Sequence, residues 1–260
     1  MRPERIYDSH RLATAYAYDR PAIHRHIVEA AGKSLHITTR LGRALDIGCG
    51  AGLSTAALAP LAESVVGLEP APAMLMHRRV VAPHALFIVG QAERLPFLAG
   101  TFNLIAAAGS LNYADVDLFL PEAARVLAPG GVVIIYDFAA GRRALGGHKL
   151  EDWFATFEHR YPSPPGYALD VRGLAYRQAG FRLKAYEELE IAIPMTLGSY
   201  VPYVLSATGV EHAIASGVPE PAIRDWCRST LAEIFGDQSR DVVFAAYVAY
   251  VNKIDSAENT

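Results

Sequence analysis

Three glycines at alternate positions, Gly48, Gly50 and Gly52, interrupt an apolar run of Ala44, Leu45 and Ile47, and a helical pattern of Leu53, Ala57 and Leu61 follows at once. That order reads as a strand, a tight turn and a helix. Glycine lets the backbone take positive φ and lets a ligand approach the main chain with no Cβ in the way. The loop is therefore a ligand cradle.

Two acids narrow what the cradle takes. A dinucleotide loop is spaced G-x-G-x-x-G, sets a pyrophosphate on the helix N-terminus and has an acidic residue about 20 positions on for the ribose. Here the spacing is G-x-G-x-G, and Asp46 stands two residues before the first glycine. A carboxylate there repels a pyrophosphate and suits an ammonium or a sulfonium. Glu69 closes the next apolar run, Val65 to Leu68, where a ribose diol would be gripped. Together the two acids favour a cationic nucleoside.

Five stretches, Asp46 to Gly52, Val66 to Pro70, Gly90 to Phe97, Thr101 to Ile105 and Leu127 to Gly131, follow one another over roughly residues 40–140. In that order they resemble the successive motifs of the class I S-adenosylmethionine-dependent methyltransferases, of the methyltransferase domain 11 type. The resemblance implies an α/β fold: a doubly wound, Rossmann-like, seven-stranded sheet, mostly parallel with an antiparallel last strand, plus a helical cap. It implies S-adenosyl-L-methionine as cofactor and S-adenosyl-L-homocysteine as product. The cofactor residues it implies are Asp46, Gly48, Cys49, Gly50, Glu69, Pro70, Met74, Gln91, Ala92, Ala108 and Gly109, with Tyr16 closing the pocket. Gln91 and Asn103 depart from the pattern, which has Asp at both positions. Gln can still read adenine, but without charge and through one more methylene, so weaker cofactor binding is expected. Met74 is equally readable as a core gap filler.

The 260 residues, 52% hydrophobic, suffice for one large core with appended helices. One domain is expected over 1–260: an N-terminal helical lid segment at 1–32, the cofactor-binding core at 40–140, and a helical cap insertion at 194–240. A formal charge of −3, with scattered Lys and Arg, gives no bulk attraction to phosphate backbones, so no nucleic acid partner is expected. Cys49 and Cys227 form no CxxC pair, so neither a disulfide framework nor a metal site is implied. The opening residues are no signal peptide, and the longest apolar run, Val242 to Val251, falls short of a membrane span. A soluble cytoplasmic protein, monomer or homodimer, is expected, with a small-molecule methyl acceptor as its partner.

Along the chain, Pro21 to Ala31 with Gly32 after it reads as a helix of about three turns. Tyr16 and Tyr18 before it either close over the cofactor, where a π face suits a sulfonium, or pack the first helix on the core. His24 and His26 point to different faces and make no metal pair. Strands are expected at 64–69, 85–89, 102–108 and 132–138, helices at 72–81 and from Leu118 to Leu127. Gly141 to Gly147 reads as loop, Leu150 to His159 as a short helix, Tyr161 to Tyr167 as proline-rich loop, and Leu169 to Ala179 as a helix ending at Gly180. The sixth and seventh strands, Arg182 to Ile193 and Asp241 to Asn252, form an antiparallel pair. The roughly forty residues between them exceed a hairpin loop and must be structured. That insertion reads as a substrate cap, with Tyr200 and Tyr203 as candidate substrate contacts beside Tyr18 and Tyr113.

Methyl transfer is an in-line displacement that needs alignment and dehydration more than acid or base groups. An acceptor that must lose a proton needs a base, for which Asp137, His148, His10 and His159 are the candidates. A small-molecule methyltransferase is the expected function, acting on an O, N or C atom of an acceptor that is at least partly apolar. The alternatives are a catalytically silent cofactor-binding partner subunit and a dinucleotide-dependent oxidoreductase.

Overall fold

Strand β1 (Leu41–Ile47) is flanked by β2 (Ala62–Glu69) and β4 (Phe102–Ala108), both parallel to it, and the sheet grows outward from this trio. The computed structural model describes residues 3–164 and 169–254. On one side β2 pairs with β3 (Leu86–Val89), and on the other β4 pairs with β5 (Leu127–Phe138), all parallel. Beyond β5 the direction reverses. β8 (Arg240–Lys253) runs antiparallel to β5 and, on its other edge, antiparallel to β7 (Phe181–Met195). These are the seven strands expected. An eighth, β6 (Arg143–Ala144), lies within the stretch read as loop and pairs with β8 at Val242 and Val243.

Both faces of the sheet are covered, which is why its central strands are nearly all apolar. Along β4, Leu104 and Ala106 face one core while Ile105 and Ala107 face the other, as a period of two requires. The first core is filled by α2 (Ile23–Ser34), α6 (Lys149–Arg160) and α9 (Glu220–Phe235), the second by α5 (Val116–Val126) and by Val171 and Tyr176. The insertion between β7 and β8 is helical throughout: α7 (Leu197–Leu205), α8 (Thr208–Ala215), then α9. Thr196 and Ser199 form a capping box that starts α7. Among the described residues no helix is long and apolar enough to cross a membrane.

Three readings of local structure are corrected. The helix expected to stop at Gly32 runs on to Ser34, because Gly32 serves packing: a Cβ there would lie 2.8 Å from Leu61 Cδ2. The stop is made by His36 at φ 53, with the Ile37 N–H donating to Gly32 O at 2.9 Å. The helix expected over Leu169 to Ala179 does not form, and only Tyr176–Ala179 makes a 3-10 turn. Asp170 diverts the chain: its side chain accepts from the Arg172 N–H at 3.1 Å and its carbonyl from the Gly173 N–H at 3.2 Å. Likewise 72–81 opens as a 3-10 turn, Pro72–His77, before the short α4 (Arg78–Val81). Of the loop expected over Tyr161 to Tyr167, the part from 165 on lies outside the described residues.

Candidate functional site

Parallel strands end on one edge, so the tips of β1, β2, β4 and β5 bring Asp46, Glu69, Gly109 and Asp137 to the same side of the sheet. Between β1 and α3 (Leu53–Leu58) the glycine bend passes so close to the exit of β4 that a Cβ on Gly48 would lie 2.4 Å from Ser110 Cβ. Gly48 also takes φ 62, a second reason for glycine. The Cys49 N–H donates to Leu68 O at 3.0 Å and ties the bend to β2.

Asp46 is fully buried. Its Oδ2 accepts from Ser54 Oγ at 2.7 Å and Thr55 Oγ1 at 2.6 Å, while Oδ1 is buried with no partner. Burial, partly offset by those two hydroxyls, pushes its carboxyl up to about 7. Glu69, also buried, holds the bend from the other side. Its Oε2 accepts from the Gly50 N–H and its Oε1 from the Ala71 N–H, each at 2.9 Å. Burial raises its carboxyl too, against the pull of those two bonds. Met74 is buried, and its Cε lies 3.6 Å from where a Cβ on Gly50 would be, so it packs against the bend. Pro70 and Gln91 are exposed, and Ala92 is buried beneath Gln91.

Gly109, at φ 63, leaves β4 next to Asp137, and a Cβ there would sit 2.9 Å from Asp137 Oδ1. The Asp137 carboxylate accepts from the Phe138 N–H at 2.8 Å and from Asn112 Nδ2 at 3.1 Å, and burial pushes its carboxyl up. Ala108 is half-buried beside it.

Helix α1 (His10–Tyr18) packs on the Pro72–His77 turn, where His77 bonds Thr14 Oγ1 at 2.9 Å and Tyr18 OH at 3.3 Å. Tyr7 joins the rings of Tyr16 and Tyr113 edge-on and donates to Tyr113 OH at 3.1 Å. From the other end α1 is fastened to the insertion. Arg11 reaches Glu211 at 2.5 Å and Leu205 O at 3.3 Å, and Arg20 reaches Ser206 O at 3.2 Å with its guanidinium 4.2 Å over Tyr16. Arg20 Nε is buried with no partner.

Other residues picked from the sequence lie elsewhere. Tyr200 and Tyr203, on α7, are buried in the core and clamp one residue: Tyr200 OH donates to Gly141 O at 2.6 Å, and the Gly141 N–H donates to Tyr203 OH at 3.0 Å. Their hydroxyls are spent on structure. The His148 side chain is 90% exposed beside Glu151, and His10 and His159 are exposed on their helices. Ser54, Thr55 and Asn112, which fix the two central carboxylates, carried no motif of their own. His24, set aside as half of a failed metal pair, bonds Tyr136 OH through Nδ1 at 3.1 Å, and burial, then Arg20, push it down to about 4.

The family model for a methyltransferase domain matches residues 45–135, the span from the Asp46 strand through most of β5. Asp46 and Glu69 thus fall within a match to a methyltransferase domain. The chain is 35% identical over 119 residues to an uncharacterized methyltransferase of Synechocystis, covering 45% of this chain and 56% of that one. It is 32% identical over 145 residues to a demethylmenaquinone methyltransferase of Tropheryma whipplei, covering 55% and 58%. The chain thus spans between 37% and 58% of the length of the curated relatives it matches. Among solved structures, a candidate type II methyltransferase from Anaeromyxobacter dehalogenans shares the fold at a TM-score of 0.64 and 21% identity, covering 88% of this chain and 95% of that one. The matched span holds both buried acids of the bend, while α1 and the insertion between β7 and β8 lie outside it.

Proposed function

We propose that the chain is an S-adenosylmethionine-dependent methyltransferase acting on a small molecule. The observation that carries this is the fully buried Asp46, with one carboxylate oxygen unpartnered beside a bend of bare backbone. Such an oxygen costs free energy until a donor, best a cationic one, meets it. These residues fit the cofactor, which supplies an electrophilic methyl group when bound.

Asp46 faces the cofactor's ammonium. Glu69, already fixed by two backbone N–H groups, has lone pairs left for the ribose hydroxyls. Pro70, Met74, Gln91 and Ala92 frame the adenine, with Gly50 and Cys49 as its floor. Ala108 and Gly109 line the methionine portion, and Arg20 offers its spare donor to an anionic group. The segment through α1 is the lid, and Tyr16, Tyr18 and Tyr113 exclude water beneath it. Asp137 is the base: it touches Gly109, and burial makes it a better proton acceptor than an exposed carboxylate. With His148 and His10 in solvent, that part falls to Asp137 alone among the candidates.

Calorimetry with S-adenosylhomocysteine tests the reading. Wild type binds and Asp46→Ala does not; equal heats from both would place the site elsewhere. A rise of NADH fluorescence on mixing would instead favour a dinucleotide enzyme.

A further inference from the structure

A groove of about 590 Å³ opens beside the β5 end of the site, lined by Asp137, Ala139, Tyr186, Glu188, Ala245 and Tyr247 among others. Pairing register explains its composition. Asp137 on β5 stands opposite Tyr247 on β8, and Tyr247 stands opposite Glu188 on β7, so the three form one row across three strands with their side chains on one face. The Tyr186 ring stacks on Tyr247, 5.4 Å between centroids and 17° between planes. Glu190 on the rim is engaged by Arg143 at 2.5 Å, and Arg172 lies 5.0 Å over the Tyr186 ring. Among the described residues, the lining itself carries three carboxylates and no lysine, arginine or histidine. At its inner end Asp137 packs on the bare backbone of Gly109.

From this geometry we infer that the methyl acceptor is an organic amine, held as its ammonium between Asp137 and Glu188 with its apolar part along the alanines and the tyrosine pair. The inference rests on the proposed cofactor site, because Gly109 is what joins the groove to the methionine portion. An ammonium gains charge-assisted hydrogen bonds from the two carboxylates, while the stacked tyrosines offer its apolar part a flat wall. A carboxylate or phosphate ester would meet like charge at both ends. The volume suits a compact small molecule. The chemistry balances within the site. The bound ammonium yields one proton to Asp137, and the freed nitrogen lone pair forms the N–C bond. As it does so the C–S bond breaks and leaves its electron pair on sulfur. The product is again an ammonium, and Asp137 returns its proton to solvent.

The test titrates tyramine and phenethylamine, and their carboxylate counterparts 3-(4-hydroxyphenyl)propionate and 3-phenylpropionate, into the full chain saturated with S-adenosylhomocysteine. The amines are expected to bind and the acids not. Glu188→Gln, at an exposed position, should weaken the amines roughly tenfold or more while S-adenosylhomocysteine affinity stays. Asp137→Asn should do the same if it folds. Preference for the acids, no amine binding to the loaded protein, or unchanged amine affinity in Glu188→Gln each overturns the inference. Failure of S-adenosylhomocysteine to bind removes the cofactor reading and this inference with it, whereas its binding without the amines removes this inference alone.

Discussion

Replacing Asp46 by asparagine should flatten the pH dependence of the ligand-free protein's stability while weakening its grip on S-adenosylhomocysteine. Burial lifts the Asp46 carboxyl from the ordinary 3.8 to about 7, so between those values the folded state binds a proton that the unfolded chain has released. Folding stability from this group is therefore fullest below the unfolded value and is lost as pH rises through 7. Between pH 5 and pH 8 the loss is about 2–3 kcal/mol, or roughly 5–10 °C in Tm for a chain of this size. Asn keeps an acceptor for Ser54 and Thr55 but carries no charge, so that slope disappears. Its amide N–H₂ takes the place of the unpartnered Oδ1 and costs about 1–3 kcal/mol at every pH, which lowers the whole curve without tilting it. The decisive quantity is thus the difference in unfolding free energy between pH 5 and pH 8, measured by urea denaturation without ligand. Wild type should lose more stability than the variant over that interval by about 2 kcal/mol. Parallel profiles would refute the argument that Asp46 is a buried acid kept for its ligand, as would equal S-adenosylhomocysteine affinity in the two proteins.

Gly48→Ala forces a Cβ to 2.4 Å from Ser110 at positive φ and should cost about 2–4 kcal/mol in urea denaturation, with S-adenosylhomocysteine binding lost. A cost under about 0.5 kcal/mol would mean that the bend relaxes freely. Arg11→Met leaves the largely buried Glu211 carboxylate uncompensated and should cost about 1–3 kcal/mol of stability, discounted for the partial exposure of the pair, with faster limited proteolysis around α1. Tyr200→Phe removes the hydrogen bond to Gly141 O, which should cost about 1 kcal/mol and leave kcat and KM alone; a selective rise in KM would return Tyr200 to the acceptor site.

The alternating glycines, the two acids and the apolar strand runs were sufficient to read the central sheet, because each is a local pattern with one physical solution. What stayed hidden depends on partners distant in the chain. Gly32 reads as a helix stop, and only Leu61, in the turn between α3 and β2, makes it a close-packing residue. Tyr200 and Tyr203 read as substrate contacts from their place in the cap, and their bonds to Gly141, some sixty residues earlier, leave no trace in the local pattern. The Asp170 turn replaced an expected helix through side-chain bonds that hydrophobic periodicity does not register. Ser54 and Thr55, eight and nine residues after Asp46, could have been recognised as its supports, because a buried carboxylate at a strand tip needs donors and the next helix's first turn is the nearest source.

Among the described residues, the last strand in sequence, β8, is not the last strand of the sheet. Because β8 is inserted between β5 and β7, a nascent chain made as far as residue 239 would carry two unpaired edges, with β5 and the fifteen residues of β7 each awaiting the same partner. Synthesis must reach residue 253 before either edge is closed. Deleting β8 would therefore detach β7 from the rest of the sheet, and leave two sticky borders where an edge deletion would leave one.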